Sequence, residues 1–514
     1  MFVIGILHGY LLEGSGSNLW TQSVLRAICR AGRTVHVMCQ EPHPDRFDFV
    51  AQMIRYDEQA RPKTLFTRSV DYPGKCVLHK PTIGPVLPVF IGDRYEEHDR
   101  VERMIDLDDA AIEEYLRHNV EALDRIVIDH GVTGLLANHA VLMPVVARRV
   151  ASARSIPFAI MPHGSGIEYA VKKDVRLRDM AADAFREART IFVIGPEIRH
   201  RVGGVFRDVP GIRKKMVTLP LGVDTGLFAP VEPEARPASI VRLQSALSDL
   251  RKRTAPDSTK QPDPDCEPRL LSVNWRSDRI LIFVGRLIAG KGVQSILAAM
   301  PAILQREPRA RLIVVGHGPL RRRLEDLLQA LEEGDRARVE GIAAGEGAPG
   351  SEPLVHGQRY FERLARRGKL EPYLHAARES KVSRRVIFTG YLTHRELKHL
   401  LPCCDVALFP SIVPEAGPLV FLEAMAAGVF PLGTDLGGTA ASIDALAGRI
   451  PRRAINLMTI RSDPRHTVAD IVTKVSGAFR LGRRHAAALR RAAIERHDWA
   501  TVGRTLLRTL DRKK

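Results

Sequence analysis

The sequence predicts two α/β domains, each a doubly wound parallel sheet with helices on both faces. Three observations carry this. Apolar, strand-like runs alternate with helical stretches through the first half of the chain. A stretch rich in Pro, Arg, Ser and Asp at 229–268 then breaks the pattern, as in Thr254-Ala255-Pro256-Asp257. The alternation resumes near residue 280, and 514 residues exceed what one core ordinarily organises.

In the first half, Phe2–Leu7 and Thr34–Cys39 read as strands around a helix at Leu19–Arg30. Gly134–Asn138, Phe158–Pro162 and Thr190–Ile194 are further short apolar runs, with helices at Asp108–His130 and Val145–Ser152. In the second half the strands are Ile280–Val284, Leu312–Val315, Val386–Thr389, Val406–Phe409 and Val429–Gly433. Residues 329–380 interrupt this half with a Gly-rich loop at 341–351 and a helix at Gln358–Arg367, stopped by Gly368. The expected division is therefore 1–225, a linker or insertion at 226–275, a second domain at 276–490 with an insertion at 329–380, and a terminal helix at 491–514. No repeat of solenoid period is present.

Composition narrows the function. Hydrophobic content of 45% and charged content of 26% fit a soluble enzyme. Aromatics at 6% are too few for a base-stacking platform, so no nucleic-acid partner is expected. The six cysteines include no C-x-x-C pair, which argues against a zinc site or disulfide framework and for a reducing compartment. The run from Val141 to Ile160 is broken by Arg148, Arg149 and Arg154, so no membrane span is expected, and the chain reads as cytoplasmic. The net charge of +18 favours anionic partners, such as nucleotide phosphates or an anionic membrane surface. Solvated Arg-rich helices explain the same charge.

Open α/β sheets bind ligands beyond the carboxyl ends of their strands, so the candidate residues are those just after the strands. Gly285-Arg286-Leu287-Ile288-Ala289-Gly290-Lys291-Gly292 follows one strand. Its glycines admit a close backbone approach, and Arg286 and Lys291 can clamp a diphosphate. It misses a Walker A loop at the last position, where Gly292 replaces the hydroxyl that would hold Mg²⁺. Gly316-His317-Gly318 follows the next strand, and Gly390-Tyr391 the one after. Farther on, Glu415-Ala416-Gly417-Pro418-Leu419-Val420-Phe421-Leu422-Glu423 places two carboxylates eight positions apart. The first falls in a Pro/Gly turn and the second at the opening of an apolar helix, beside free amides and the positive dipole end. Such a pair can grip two parts of one polyol. In the first half, Gly14-Ser15-Gly16-Ser17-Asn18 opens a helix and offers amides to an anion or hydroxyl, or a simple cap by Ser17 or Asn18. His163-Gly164 follows a strand. His8, His139, His394 and His399 carry less support.

Together these elements resemble the retaining glycosyltransferases of family 4, over nearly the whole chain except 229–268 and 329–380. Arg286 and Lys291 match the family's G-R-x-x-x-x-K element, Glu415 and Glu423 its E-x7-E element. Gly316 and Gly318 resemble its G-x-G-P turn, and His163-Gly164 its H-G element. Gly222-Val223-Asp224 resembles its domain-junction motif, and Trp499 its returning C-terminal helix. The resemblance implies a GT-B architecture, two Rossmann-like domains facing each other across a cleft. It implies a metal-independent transfer from a nucleotide-sugar donor to a saccharide, lipid-linked or small-molecule acceptor. Catalytic roles then fall to His163, Glu415, Arg286 and Lys291. Donor binding falls to Gly16, Gly285, Arg286, Lys291, Gly316, Gly318, Tyr391, Glu415, Ala416, Gly417, Pro418, Leu419, Val420 and Glu423, with no metal ligand and no cofactor. In the family, Glu423 would take the ribose and Glu415 the sugar. Three departures stand out. Gly14-Ser15-Gly16 replaces a glycine pair, the glycine after Glu415 is displaced by one position, and no glutamate follows Gly437-Gly438.

Two other readings fit part of the pattern. A nucleotide-sugar epimerase explains the glycine turns but less of the carboxylate pair. An inactive polyanion- or membrane-binding protein explains Arg321-Arg322-Arg323 and the basic stretch from Arg480 to Arg491, with peripheral contact at the inner face of a membrane.

Overall fold

The computed structural model describes residues 2–90, 98, 100–253, 261–346, 352–415 and 417–511. The chain divides into two compact units. The first comprises Met1–Gly222 and Arg496–Lys514, the second Val223–Glu495.

The first unit holds strands β1 (Ile4–Leu7), β2 (Val35–Met38), β3 (Val50–Tyr56), β4 (Pro62–Thr67) and β5 (Cys76–Pro81). A short parallel pair, β6 (Leu87–Val89) and β7 (Val101–Arg103), stands apart. Then come β8 (Gly134–Asn138), β9 (Phe158–Met161), β10 (Thr190–Val193) and β11 (Met216–Thr218). The main sheet runs β11-β10-β9-β8-β1-β2-β5-β3-β4, parallel throughout except for β4. Its central strands are buried and mostly apolar, as sheets covered on both faces require: Ile4, Ile6, Leu7, Val35 and Val37 are each at most 1% exposed. The chain works outward from β1 in one direction, then returns to lay β8 on its other side. The C-terminal ends of β1 and β8 thus flank the unit's switch point, where a crevice forms in such sheets.

The last helix, Trp499–Asp511, packs on the helix Gly16–Arg30, Gly503 meeting the Ala27 side chain. Its Trp499 ring lies flat against Gly222, where a Cβ would collide with it, and His497 Nδ1 is 2.9 Å from the Leu221 carbonyl. Asp224 caps the following turn, accepting from the amides of Gly226 and Leu227 at 3.1 and 2.9 Å.

The second unit is a six-stranded parallel sheet in the order β14-β13-β12-β15-β16-β17. Its strands are β12 (Arg279–Val284), β13 (Ala310–Val315), β14 (Val386–Gly390), β15 (Val406–Phe409), β16 (Phe430–Thr434) and β17 (Thr459–Ile460). This is the order of a doubly wound nucleotide fold, with its switch point between β12 and β15.

The described parts of 226–275, expected to be a linker or an insertion, are folded. They fold into the helices Arg236–Arg253 and Cys266–Leu271 within the second unit. The first of these buries Ile240, Leu243, Leu247 and Leu250, a helical spacing that the polar composition around it hides in the sequence. Arg236 forms a 2.8 Å ion pair with Asp405 at 5% exposure on each side. The region 329–380 holds the helices Arg336–Ala344, Val355–Arg366 and Leu370–Glu379, and the buried Tyr373 hydroxyl donates to the Ala298 carbonyl at 2.8 Å. Within the Gly-rich loop expected there, residues 347–351 lie outside the described residues.

All six cysteines are free and buried. Among the described residues no helix is long and apolar enough to cross a membrane. Arg321 donates to Asp263 at 2.6 Å and lies 4.2 Å above the Phe388 ring. Arg490 donates to the carbonyls of Phe228 and Ala426. Part of the basic sequence that suggested a polyanion surface is therefore committed to internal contacts.

Burial gives the first unit an acid-sensitive core. It lowers the imidazole pKa of His8 and His36 to about 4 each, and that of His79 well below the usual value. The unfolded chain takes up protons near 6.5, so it binds more protons than the folded chain between about 6.5 and 4. Stability is complete above that window and falls as pH drops through it, at about 1.4 kcal/mol per pH unit for each such histidine. Urea unfolding of the first unit at stepped pH checks this, and a flat profile over the window contradicts it.

Candidate functional site

The second unit's switch point brings together three loops that are far apart in sequence. The loop after β12 carries Arg286 and Lys291, the loop after β15 carries Glu415, and Gly437-Gly438 opens the helix Gly437–Asp444 that follows β16. Lys291 Nζ donates to Glu415 Oε2, and Ser411 Oγ donates to Glu415 Oε1. The Glu415 carbonyl accepts from the Gly438 amide at 2.6 Å. Gly437, at φ +50°, has no room for a side chain, since a Cβ would sit 2.6 Å from that carbonyl. The Ile412 amide donates to the Gly290 carbonyl at 2.9 Å, and Thr434 Oγ1 to the Ser411 carbonyl at 2.7 Å. Backbone contacts thus fix both partners of the Lys291–Glu415 pair.

Arg286 is exposed, and among the described residues its guanidinium makes no hydrogen bond or ion pair, while its carbonyl accepts from the Ile288 amide at 3.0 Å. A guanidinium without a carboxylate beside a paired lysine is a site for an anion.

The glycines of these loops serve a different end from the one the sequence suggests. Gly316 (φ +137°) abuts the Gly285 carbonyl and Gly318 (φ +156°) that of Leu287, where a Cβ would collide. Gly292 (φ +72°) abuts the Pro410 carbonyl in the same way. Each is required by the chain packing on its own backbone. Gly14 and Gly16 in the first unit contrast with them, for a Cβ on either meets nothing within 4 Å. The Tyr391 ring stands edge-on to His317 at 5.5 Å, and the Tyr391 amide donates to the Gln261 carbonyl at 2.8 Å.

Glu423 does not open its helix. The helix is Leu419–Ala426, so Glu423 is its fifth residue, buried at 4% exposure and beyond the first-turn amides. Its Oε1 lies 2.9 Å from His394 Nε2, and its Oε2 is buried with no partner. That unpaired oxygen is an acceptor awaiting a donor, because buried polar atoms are ordinarily bonded. His394 sits just inside the helix His394–Leu400, held by a capping box in which Thr393 and Glu396 bond reciprocally. The box is legible as T-x-x-E, but nothing in the sequence ties His394 to Glu423. Half-buried Gly417, Pro418, Leu419 and Val420 lead into the helix, and the amides of Leu419 and Val420 have no intrahelical acceptor. Ala416 lies outside the described residues.

Gly16 and His163 belong to the first unit, not to this cluster. Gly16 begins the helix Gly16–Arg30, whose cap is Ser15, accepting from the Asn18 amide at 3.3 Å. His163 follows β9, with Nε2 buried and unpartnered. Burial lowers its pKa to about 3, so the ring is neutral at physiological pH. Its ring centroid is 5.1 Å from His139 and 5.5 Å from Trp20. His139, passed over in the sequence, ends β8 at the first unit's switch point and stacks on His8 at 5.3 Å. It holds φ +71°, an uncommon backbone for a residue with a side chain, and both ring nitrogens are buried and unpartnered. Trp20 Nε1 and Asn138 Oδ1 are unpartnered as well. These buried donors and acceptors lie unsatisfied around the first unit's switch point.

Comparison with known proteins agrees with this division. Residues 273–342 and 367–447 match the family described as Glycosyl transferases group 1, with the gap falling in the inserted helices. An uncharacterized glycosyltransferase of Methanocaldococcus jannaschii is 28% identical over 161 residues, 31% of this chain and 28% of that protein's own length. Among solved structures, the catalytic domain of starch synthase IV from Arabidopsis thaliana, bound to ADP and acarbose, superposes with a TM-score of 0.58 at 13% identity, covering 99% of each chain. Anabaena HepE in complex with UDP gives 0.53 at 13% identity, again with 99% of each chain covered. The chain therefore shares the α/β fold of these glycosyltransferase structures, and residues 273–342 and 367–447 of its second unit carry the resemblance to glycosyl transferases group 1.

Proposed function

We propose that the chain is a retaining glycosyltransferase that moves a sugar from a nucleotide-sugar donor to a hydroxylated acceptor, with no metal in the transfer step. The observation that carries this reading is the convergence of Arg286, Lys291, Glu415 and Gly437-Gly438 at the switch point of the second unit, with an unpaired Glu423 oxygen nearby on the next helix. ADP and UDP bound to the two structural relatives support a nucleotide donor and leave its base open.

The donor diphosphate takes Arg286 and draws Lys291 from Glu415. The freed Glu415 carboxylate accepts from sugar hydroxyls, and Glu423 Oε2 accepts from a ribose hydroxyl. As the glycosidic bond breaks, negative charge grows on the departing phosphate. Arg286, Lys291 and the first-turn amides of Leu419 and Val420 stabilise it, as oriented donors in place of a cation. The acceptor enters over the first unit near Gly16 and His163. It attacks the face that the phosphate leaves, and the phosphate oxygen takes its proton. Neutral His163 hydrogen-bonds the transferred sugar.

Glu423→Gln keeps the shape and removes the charge. A hydrogen bond to a charged group contributes about 1.5–3 kcal/mol, so the donor KM should rise about tenfold or more. An unchanged KM removes the ribose role. The reaction class is tested by proton NMR of the first product formed. The donor's anomeric configuration should be kept, and added Mg²⁺ or Mn²⁺ should not change turnover. An inverted product, or turnover only with added metal, overturns the reading.

A further inference from the structure

Three histidines of the first unit belong to neither of the sites described above. His36 is on β2, His79 on the neighbouring strand β5, and His130 ends the helix Asp109–His130. The strands pair in parallel with Met38 opposite His79 and His36 opposite Val77, so both rings project from one side of the sheet. That the helix end meets them there is plain from the rings, His130 lying 4.6 Å from His36 and 4.9 Å from His79 between centroids. One nitrogen from each ring lies within 4.8 Å of the other two. His36 and His79 are buried and His130 half-buried, which leaves one side of the group open to solvent.

His36 Nδ1 and His79 Nε2 are 3.0 Å apart. Two nitrogens bound at about 2.0–2.1 Å to one ion are separated by a similar distance. The other nitrogen of His79 is 2.9 Å from the Tyr56 hydroxyl. That is the outer contact a ligating histidine ordinarily makes, because it fixes the tautomer and leaves Nε2 free to bind. We propose that His36, His79 and His130 form a binding site for one borderline divalent transition ion, Zn²⁺ above all, which ties the end of the helix Asp109–His130 to strands β2 and β5. Three imidazoles suit Zn²⁺ and its neighbours and not Mg²⁺ or Ca²⁺, which take oxygen ligands. Without the ion, one ring N–H bridges His36 and His79. When the ion enters, that proton moves to the far nitrogen of its own ring, both rings stay neutral, and no electron is transferred. None of the three histidines serves in the transfer reaction, so the ion is structural and the proposal stands apart from that reaction. The spacing 36, 79, 130 matches no local motif, and cysteine arithmetic does not reveal it.

The test uses the full chain with its purification tag removed and stripped of metal. Titration with Co²⁺ and with Zn²⁺ should show one equivalent bound with micromolar or tighter affinity. Cobalt should give the visible absorption of a nitrogen-ligated low-symmetry site, and the melting temperature of the first unit should rise. His130→Ala, at a half-buried helix end, should keep the fold by circular dichroism and weaken binding about a hundredfold. His130→Asn gives a second variant should alanine disturb the helix end. No stoichiometric binding by the wild type overturns the proposal and leaves Tyr56, His79 and His36 as a hydrogen-bonded chain only. Equal binding by wild type and a folded His130 variant overturns it too, since the ion then sits elsewhere.

Discussion

Replacing Arg286 and Lys291 together by alanine should lower kcat/KM for the nucleotide sugar by about a thousandfold or more. Removing one oriented donor from a developing oxyanion ordinarily costs about a hundred- to a thousandfold. Here two cations are removed. The single variants should differ in kind. The exposed Arg286 guanidinium has no hydrogen-bond or ion-pair partner among the described residues, so Arg286→Ala should act on the ligand and leave stability nearly unchanged. Lys291→Ala also leaves Glu415 without its cation, next to Ser411. It should therefore reduce sugar positioning as well as charge stabilisation, and part of its loss should return in Lys291→Arg. Steady-state kinetics of the four proteins decide this. A double variant within tenfold of wild type would remove both residues from the mechanism.

Gly292→Ala should give the largest loss of stability of any single substitution in the second unit's loops. The residue has φ +72°, where a left-handed backbone costs an L-residue about 1–2 kcal/mol. Its Cβ would also overlap the Pro410 carbonyl, so the segments after β12 and β15 must part. Together these exceed about 3 kcal/mol, the range in which a change has a named mechanism of strain or overpacking. Gly16→Ala is the matched control, because its Cβ meets nothing and its helix position tolerates alanine. Stability there should stay within about 0.5 kcal/mol, while acceptor or donor use falls if the glycine admits a ligand. Denaturation of both variants checks the contrast, and equal stability losses contradict it.

Much of the architecture was legible because the central strands are short, mostly apolar and largely separated by helices. Gly134–Asn138 and Val406–Phe409 lie where the apolar runs place them. The strands at 50–81 were not read, since they mix polar with apolar residues near the edge of the sheet. Pro62–Thr67, the outermost, is largely exposed. The helix Arg236–Arg253 was masked by the Pro- and Asp-rich residues after it, although Ile240, Leu243, Leu247 and Leu250 carry its period. Within the candidate site, the strand-end rule pointed to Arg286, Lys291 and Glu415, whose loops the fold brings together at one switch point. Sequence could not show that Lys291 and Glu415 pair across 124 positions, nor that His394 reaches Glu423. The glycine turns show a second demand, from the chain's own backbone. Local spacing shows that a backbone must come close, and only the fold shows that what comes close is Gly285, Leu287 and Pro410. His139 carried no local signal, because its strain and unpaired nitrogens arise from strands that meet only in the sheet.

The most direct measurement is a calorimetric titration of UDP-, GDP- and ADP-sugars into the wild type and into the Arg286→Ala/Lys291→Ala double variant. One nucleotide sugar should bind the wild type and lose most of its affinity in the variant, which would also name the base. No binding of any donor at millimolar concentration, or equal binding by both proteins, would contradict the donor site at the second unit's switch point.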